Sequence, residues 1–422
     1  MSGTLVKDST AAVLKRCHEL GFALAGVASA EPTRWGTQLR HWLALGRHGE
    51  MGYLARHLQQ RIDPGRMVPG ARSIICVADR YHDGCSEDEP VSGGGPRGRI
   101  ARYARGDDYH RVMKKRLHSL RDELAKEYPD RAWRVCVDTA PVLERELAQR
   151  AGLGSVGKHT LLIEPGVGSW LLLGEIITSL ELAPTPADDP GPTDPCGTCT
   201  RCIDACPTDA ITPWSVDATR CISYLTIEHR SEIDEAFHEL IGEWIFGCDI
   251  CQEVCPHNQP THRTASARTH AAYAPRRDSF ELLKVLDWDE QARREAFGRS
   301  AMKRAKLPMM KRNALLAAGN WLARFDDPLL RRRICQIADD PGQPDLVRST
   351  ARSVVRRLEK VGPAAEEGED SPRRAAEGRG EKSRVQGSGR VQQVVPNPEP
   401  QTPADVGPAV AAAEKGLDAD SR

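Results

Sequence analysis

The chain has 422 residues, with 59 Lys/Arg against 59 Asp/Glu, so its formal net charge is zero. That length predicts two or three domains. No apolar run approaches the ~20 residues of a membrane-spanning helix, and the even charge balance means any basic footprint must be local.

In chain order, Thr10–Leu20 carries helical periodicity that Gly21 stops. Ser73–Ala78, behind a Pro69-Gly70 turn, is a short apolar, β-branched run and predicts a strand. Tyr109–Tyr128 predicts an amphipathic helix and Trp133–Asp138 a strand; Pro141 opens a helix to about Ala151. Thr160–Ile163 and Ser169–Thr178 predict a hairpin around Glu164–Gly168. Residues 1–182 therefore read as an α/β domain. A Pro/Asp-rich linker over 183–195 leads into a cysteine-rich module, 183–265 in all. From 266 to 360 the pattern is helical from Ser279 on, broken at Asp326-Asp-Pro328 and Asp339-Asp-Pro341, and its helix pairs suggest a HEAT-like repeat. The stretch Gln291–Arg333 holds twelve Lys/Arg against three Asp/Glu. Lys303, Arg304, Lys306, Lys311 and Arg312 there predict a phosphate-binding face, with a solvated helix surface as the alternative. Residues 361–422 are Ala/Glu/Gly/Pro/Arg-rich with almost no large apolar side chains, which predicts a disordered tail.

Eight of the thirteen cysteines fall in or between two runs. Cys196-Gly-Thr-Cys199-Thr-Arg-Cys202-Ile-Asp-Ala-Cys206-Pro207 is the C-x2-C-x2-C-x3-C-P run of two-cluster ferredoxins. Cys248-Asp-Ile-Cys251-Gln-Glu-Val-Cys255-Pro256 has the last three cysteines of such a run, with Ile245 where the first would stand. Cys221, between the runs, can supply the missing thiolate. In such runs the fourth cysteine serves the other cube. One [4Fe–4S] cluster then takes Cys196, Cys199, Cys202 and Cys255, and the other Cys206, Cys221, Cys248 and Cys251. A zinc ribbon is the alternative, but it would use four thiolates and leave four unexplained. Disulfides do not suit a chain opening Met1-Ser-Gly-Thr-Leu-Val-Lys7 with no apolar signal segment, which predicts a cytoplasmic, reducing setting.

Gly152-Leu-Gly154-Ser-Val-Gly157 matches G-x-G-x-x-G, but it follows a predicted helix and precedes a strand, the reverse of the dinucleotide context. Its glycines predict close backbone approach to packing partners or to a large flat ligand. Asp138 ends a predicted strand of apolar residues. It reads either as a carboxyl whose pKa an apolar pocket raises, fit to donate a proton, or as an N-cap for the following helix. Asp108-Tyr-His110 comes nearest to a D-x-H-x-x-G cobalt-ligand motif, yet Met113 occupies the glycine position, so His110 reads as a solvated helix residue.

Several segments together resemble the epoxyqueuosine reductase family: Met51–Arg56, Ala101–His110, Val137–Arg145, Ala151–His159, Arg220–Glu228 and Gly247–Cys251. The resemblance runs from the N-terminus to about Leu358, and the tail lies outside it. Pro256-His257-Asn258 departs from the family's Pro-Trp-Asn. This resemblance implies a degenerate nitroreductase-like cobalamin-binding α/β domain, a bacterial ferredoxin-like two-cluster module and a helical HEAT-like end that grips tRNA. It implies a cytoplasmic, monomeric oxidoreductase that performs the last step of queuosine biosynthesis. The reaction implied is a Co(I)-cobalamin-driven, two-electron deoxygenation of epoxyqueuosine in a tRNA anticodon loop, fed by an external low-potential electron donor. Carried over residue by residue, Asp138 becomes the proton donor. Arg56, Tyr103, Asp138, Lys158, His159, Ser223, Cys248 and Asp249 become contacts to base-off cobalamin. Two rivals stand beside this reading: a reductive dehalogenase with the same cofactors, and a non-enzymatic electron carrier.

Overall fold

The computed structural model describes residues 3–361 apart from 83–94, 187–192 and 262–268. Cys85, the middle of the predicted linker and the predicted tail past residue 361 lie outside the described residues. Among the described residues, no helix is long and apolar enough to cross a membrane.

Helix α1 (Gly3–Glu19), strand β1 (Leu24–Ser29) and the short helices α2 (Gly36–Ala44), α3 (Tyr53–Arg56) and α4 (Leu58–Ile62) lead to β2 (Ser73–Arg80). Then come β3 (Arg97–Ile100), α5 (Tyr109–Glu127), β4 (Trp133–Cys136), α6 (Glu144–Arg150), the two-residue strands β5 (Ser155–Val156) and β6 (Leu162–Ile163), and β7 (Leu171–Thr178). An antiparallel sheet of order β1-β2-β7-β4 forms the first core. Alternation along β2 explains its unbroken apolar run. Ile75 and Val77 pack with Leu117 and Leu120 of α5 on one face, while Ile74, Cys76 and Ala78 pack with Leu147 and Ala148 of α6 on the other.

Two sequence expectations fail locally. The predicted hairpin does not form: β6 pairs with β5, and β7 is taken between β2 and β4, leaving one bridge between Glu164 and Gly168. An eight-residue strand buried on both faces is worth more in the sheet centre than in an isolated ribbon. The helix expected from Pro141 starts at Glu144 instead, because Asp138 takes a left-handed φ of 51° and the chain turns through 137–143 before it can coil.

The glycine run behaves as its context predicts. It lies between α6 and β5, and a Cβ at Gly154 (φ 159°) would sit 2.3 Å from the Ile163 carbonyl oxygen. These glycines bring backbones together and make no dinucleotide turn.

The cysteine-rich segment contributes α7 (Arg201–Asp204), β8 (Ile211–Thr212), β9 (Ser215–Val216), α8 (Ile222–Ile227), β10 (Trp244–Phe246) and α9 (Ile250–Glu253). After it come β11 (Ser279–Glu281), α10 (Leu282–Asp287), α11 (Glu290–Phe297), α12 (Leu307–Leu322), α13 (Pro328–Asp339) and α14 (Asp345–Val361). A second sheet, β10-β3-β11, takes one strand from each of the three predicted segments. The second core is likewise shared, joining Ile100 and Ala101 to Trp244–Phe246 and to the apolar faces of α10, α12, α13 and α14. The described residues thus belong to one compact unit with interlocked parts.

Helix α12 is the pin of that unit. It is buried almost all round, including Lys311, Arg312 and Asn313. Arg312 has no exposed surface and donates to the carbonyls of Leu225 (2.6 Å), His229 (2.8 Å) and Ser231 (2.6 Å). Asn313 donates to the carbonyls of Thr226 and Ile245, both at 2.9 Å. The orphan carbonyls at the C-terminus of α8 are therefore satisfied by a buried cation, as the helix dipole favours. Lys311 and Arg312 cannot meet a phosphate, which corrects the sequence reading. Lys303, Arg304 and Lys306 remain exposed.

Candidate functional site

Backbone amides set the cysteines. Cys221 is the residue before α8, and the amides of Ser223 and Tyr224 hydrogen-bond its sulfur, as a helix N-terminus favours for a thiolate. Cys196 Sγ accepts from the Lys158 amide at 3.3 Å and Cys206 Sγ from the Ala210 amide at 3.4 Å. The thiols fall into two electrostatic neighbourhoods. Cys255 is raised to about 11 by burial and then by Cys196, Cys202 and Cys199. Cys248 is raised by burial and by Cys221 and Cys206. Cys251 is raised by burial and by Cys248, Cys221 and, across the divide, Cys202. Among the described residues no three His, Cys, Asp or Glu side chains converge on a single-ion site. A cube, whose thiolates each meet a different iron, does not require such convergence. Ile245 sits in β10 with no exposed surface, and a Cβ on Gly98 would meet its side chain at 2.5 Å. The position of the missing cysteine is committed to the second sheet.

Asp138 occupies a different kind of place. Its side chain keeps 46% of its surface open. It does not cap α6: the preceding residue there is Leu143, and the Asp138 amide instead donates to Glu144 Oε1 at 2.5 Å. Its Oδ2 lies 2.9 Å from His110 Nε2, and His110 Nδ1 lies 2.8 Å from Asp108 Oδ1. Asp108 caps α5 through the His110 amide, which fixes this imidazole at the start of the helix. The ring stacks on Tyr109 with centroids 4.0 Å apart.

The electrostatics overturn two expectations. Burial works to raise the Asp138 carboxyl, but the hydrogen bond and charge of His110, with Arg304 and a Tyr109 hydrogen bond behind them, hold it below its ordinary value. Asp138 is therefore a carboxylate. His110 is no solvated helix residue. Burial works to lower it, yet hydrogen bonds to Asp108 and Asp138 raise it to about 9, so it is an imidazolium at neutral pH. Glu144, raised to about 7 by burial and by Asp138, stands behind them.

The proposed cofactor contacts separate by what already engages them. Tyr103 lies in the turn that follows β3: it stands edge-on to Tyr109, with centroids 6.1 Å apart, and its hydroxyl is raised by burial, Asp138 and Asp249. It also borders Gly247, whose φ of 72° and closeness to Ala101 leave no room for a Cβ. Arg56 is exposed at the end of α3, one turn from Tyr53. Ser223 lies in the first turn of α8 beside Cys221. His159 is buried; its Nδ1 accepts from the Leu161 amide at 3.1 Å, its Nε2 has no protein partner, and burial, Arg145 and His257 lower it to about 4. Lys158 is turned inward, donating to the carbonyls of Gly197 (2.5 Å) and Cys199 (3.1 Å) within the first cysteine loop. Asp249 is spent on Arg102, accepting from its amide at 2.8 Å and its guanidinium at 3.3 Å. Cys248 is half-buried between Gly247 and Asp249.

Sequence reasoning missed Arg61 and Tyr53 in this surround and gave Arg304 only a phosphate-binding role. Arg304 ion-pairs with Glu228, lies over the Tyr53 ring at 5.4 Å and stands in the field of Asp138. Arg61 and Tyr53 both feel the charge of Asp138. Nothing in local spacing announces them. His110 did carry a signal, since an Asp two residues before a His at a helix start places both on one capping turn.

The double thiol set joined to an antiparallel α/β sheet defines the class as an iron–sulfur oxidoreductase of mixed α/β fold. Residues 195–258 match the family described as a 4Fe-4S double cluster binding domain, and residues 61–139 match Epoxyqueuosine reductase QueG, DUF1730. Epoxyqueuosine reductase of Leadbetterella byssophila is 40% identical over 315 residues, covering 73% of this chain and 98% of that protein. The Xanthomonas campestris pv. campestris enzyme is 41% identical over 315 residues, covering 74% and 87%. A crystal structure of epoxyqueuosine reductase with a tRNA-Tyr epoxyqueuosine-modified stem loop superposes with TM-score 0.72 at 28% identity, covering 86% of this chain and 95% of that one. The Bacillus subtilis structure, whose catalytic aspartate loop is swung out of the active site, gives 0.71 at 26% identity over 86% and 95%. This chain belongs to the epoxyqueuosine reductase family.

Proposed function

We propose that this chain reduces epoxyqueuosine to queuosine in the anticodon loop of tRNA, with Asp138 delivering the proton to the departing epoxide oxygen. One observation carries the reading. Asp138 is an exposed carboxylate in the field of Tyr103, and Tyr103 in turn borders Gly247 beside Cys248, so the carboxylate and the thiol set flank one tyrosine. A related structure holds an epoxyqueuosine-modified stem loop, and another has its catalytic aspartate loop swung out of the active site. The left-handed Asp138 in the 137–143 turn is a fitting counterpart for that loop.

The two thiol neighbourhoods match the crossed ligand sets, so Cys196, Cys199, Cys202 and Cys255 would hold one [4Fe–4S] cluster and Cys206, Cys221, Cys248 and Cys251 the other. A base-off cobalamin beside Asp138 would supply low-potential electrons to the epoxide carbon. The unpartnered Nε2 of His159 and the exposed face of Asp138 suit a large ligand. Arg56, Tyr103, Ser223, Cys248 and His159 would contact it. Lys158 and Asp249 would act by fixing the Cys196 loop and Arg102. Asp138 and its neighbours would deliver a proton to the reacting oxygen as its bond breaks, since expelling an alkoxide is far harder than expelling a hydroxyl. Exposed Lys303 and Lys306, before the HEAT-like helices, would grip RNA phosphates. An external low-potential donor would supply the electrons. The chain would act as a cytoplasmic monomer.

The test is nucleoside mass spectrometry of tRNA from a strain lacking this gene. Epoxyqueuosine should accumulate, the wild-type gene should restore queuosine, and Asp138→Asn should not. Queuosine in the deletion strain would overturn the assignment. Restoration by Asp138→Asn at more than about a tenth of wild-type rate would return Asp138 to a structural role.

A further inference from the structure

A proton donor that rests as a carboxylate needs a supply. Asp138 is held ionised, so at neutral pH it carries no proton of its own to give. The nearest bonded group is the one that holds it so: His110 Nε2, 2.9 Å from Asp138 Oδ2. On the far side of the ring, Nδ1 is fixed at 2.8 Å by Asp108, which is itself fixed as the cap of α5. Both ring nitrogens thus face carboxylates, and only a ring protonated at both can donate to both. Half of the arrangement is sheltered, the side chains of His110 and Asp108 being 25% and 19% exposed, while that of Asp138 is 46% exposed.

We propose that Asp108, His110 and Asp138 form a proton relay in which His110 stores the proton and loads Asp138 at the moment the epoxide oxygen departs. This rests on the reading of Asp138 as the acid. The proton leaves His110 Nε2 for Asp138 Oδ2, and Asp138 passes one proton to the oxygen whose carbon–oxygen bond breaks. His110 is left neutral, with Nδ1–H still on Asp108, and Asp138 returns to a carboxylate. The relay moves one proton and no electron: imidazolium and alkoxide become imidazole and hydroxyl. Solvent reached through the exposed part of His110 then restores the imidazolium. His110 is a positioning and supply residue that acts through Asp138.

The surroundings favour this direction of flow. Tyr109 lies flat against the ring and hydrogen-bonds Asp138, so the imidazole cannot swing away without losing a stacked partner. From α6, Glu144 adds negative charge that favours the imidazolium. From the segment before α12, Lys303 faces Asp108 and Arg304 faces Asp138, and from α4 Arg61 faces Asp138; these oppose a second proton on the carboxylates. Two carboxylates bond the ring directly, Glu144 stands behind Asp138, and the cations sit one group further out. The stored proton therefore stays on the nitrogen until the oxygen develops charge.

The test uses anaerobic turnover of an epoxyqueuosine stem loop from about pH 6 to about pH 10, with wild type, His110→Gln, Asp108→Asn and Asp138→Asn. Asparagine still caps a helix, so Asp108→Asn removes the charge and keeps the fold. Wild-type kcat should fall through about pH 9, where His110 loses its proton. In Asp108→Asn the falling limb should move at least half a unit acidward with its low-pH plateau retained. His110→Gln should lose at least about tenfold at neutral pH and recover as the pH falls and solvent protonates Asp138 directly. Imidazole NMR of the same proteins gives a second readout: the His110 titration midpoint should drop in Asp108→Asn and in Asp138→Asn. A purely structural role would lower turnover equally at every pH and leave the limb in place. If Asp138→Asn is inactive while His110→Gln and Asp108→Asn keep the wild-type profile, the relay is wrong and the acid assignment survives. If Asp138→Asn turns over like wild type, the acid assignment itself falls.

Discussion

Replacing Arg312 by alanine separates the two meanings that a basic residue in this region can have. The guanidinium donates to three main-chain carbonyls, Leu225, His229 and Ser231, at 2.6–2.8 Å, and no part of it reaches solvent. Hydrogen bonds from a charged donor contribute about 1.5–3 kcal/mol each, so three would reach about 5–9 kcal/mol. Against that stands the several kcal/mol spent on keeping the cation out of water, which lowers Arg312 to about 10. The net loss should be about 3–5 kcal/mol, as when one partner of a buried ionic group is removed. At roughly 2 °C per kcal/mol for a chain of this size, the midpoint should fall by about 6–10 °C. The assay is thermal unfolding of anaerobically prepared protein, with stem-loop RNA affinity measured on the folded protein. Affinity should change less than about twofold. An unchanged midpoint with clearly weaker RNA binding would refute the burial argument and return Arg312 to the phosphate face.

Cys221→Ala should leave about four irons of about eight per chain, whereas Ile245→Ser should keep all eight and cost about 2–4 kcal/mol, because the isoleucine is a fully buried strand residue; iron analysis and unfolding separate the two. Reversing Lys303 and Lys306 to Glu should weaken stem-loop binding at least about tenfold and flatten its salt dependence, read by titration at several salt concentrations. Stability should also depend on the relay groups. His110 is raised, so its contribution is full below its ordinary value of 6.5 and fades as pH rises through about 9. Asp108 and Asp138 are lowered, so theirs is present above 3.8 and fades as pH falls below it. Denaturant titrations should therefore show a loss between about pH 7 and 10 that His110→Gln lacks.

What could be read from the sequence was whatever repeats a short-range rule. The cysteine runs, the apolar run of β2 and the helical stripe of α5 are local, and each appears where expected. The failures are long-range. Whether β7 pairs with its neighbour in sequence or enters the sheet centre depends on β2 and β4, both distant along the chain. Lys311 and Arg312 look like a basic face until α8 supplies carbonyls more than eighty residues away. Asp138 stands out in the sequence at the end of an apolar strand, but the neighbours that decide its protonation are twenty-eight residues back at His110 and far ahead at Arg304. A residue's type can be read from sequence, whereas its charge state is set by contacts that only folding makes.

That distinction bears on how the substrate must be met. The sequence divides into an electron-carrying segment, a chemical segment and a basic segment, which suggests independent parts. The second sheet denies that independence, because β3, β10 and β11 hydrogen-bond across all three. Arg304 stands between functions: it pairs with Glu228 just past α8, covers Tyr53 and lies in the field of Asp138. Lys303, its neighbour, faces the carboxylate that holds His110. An RNA phosphate arriving at Lys303 would withdraw positive charge from Asp108 and so strengthen the grip of His110 on its proton. Docking of the substrate and storage of the proton on His110 are then coupled through two adjacent residues, and a proton would be best retained when the epoxide is in place to receive it.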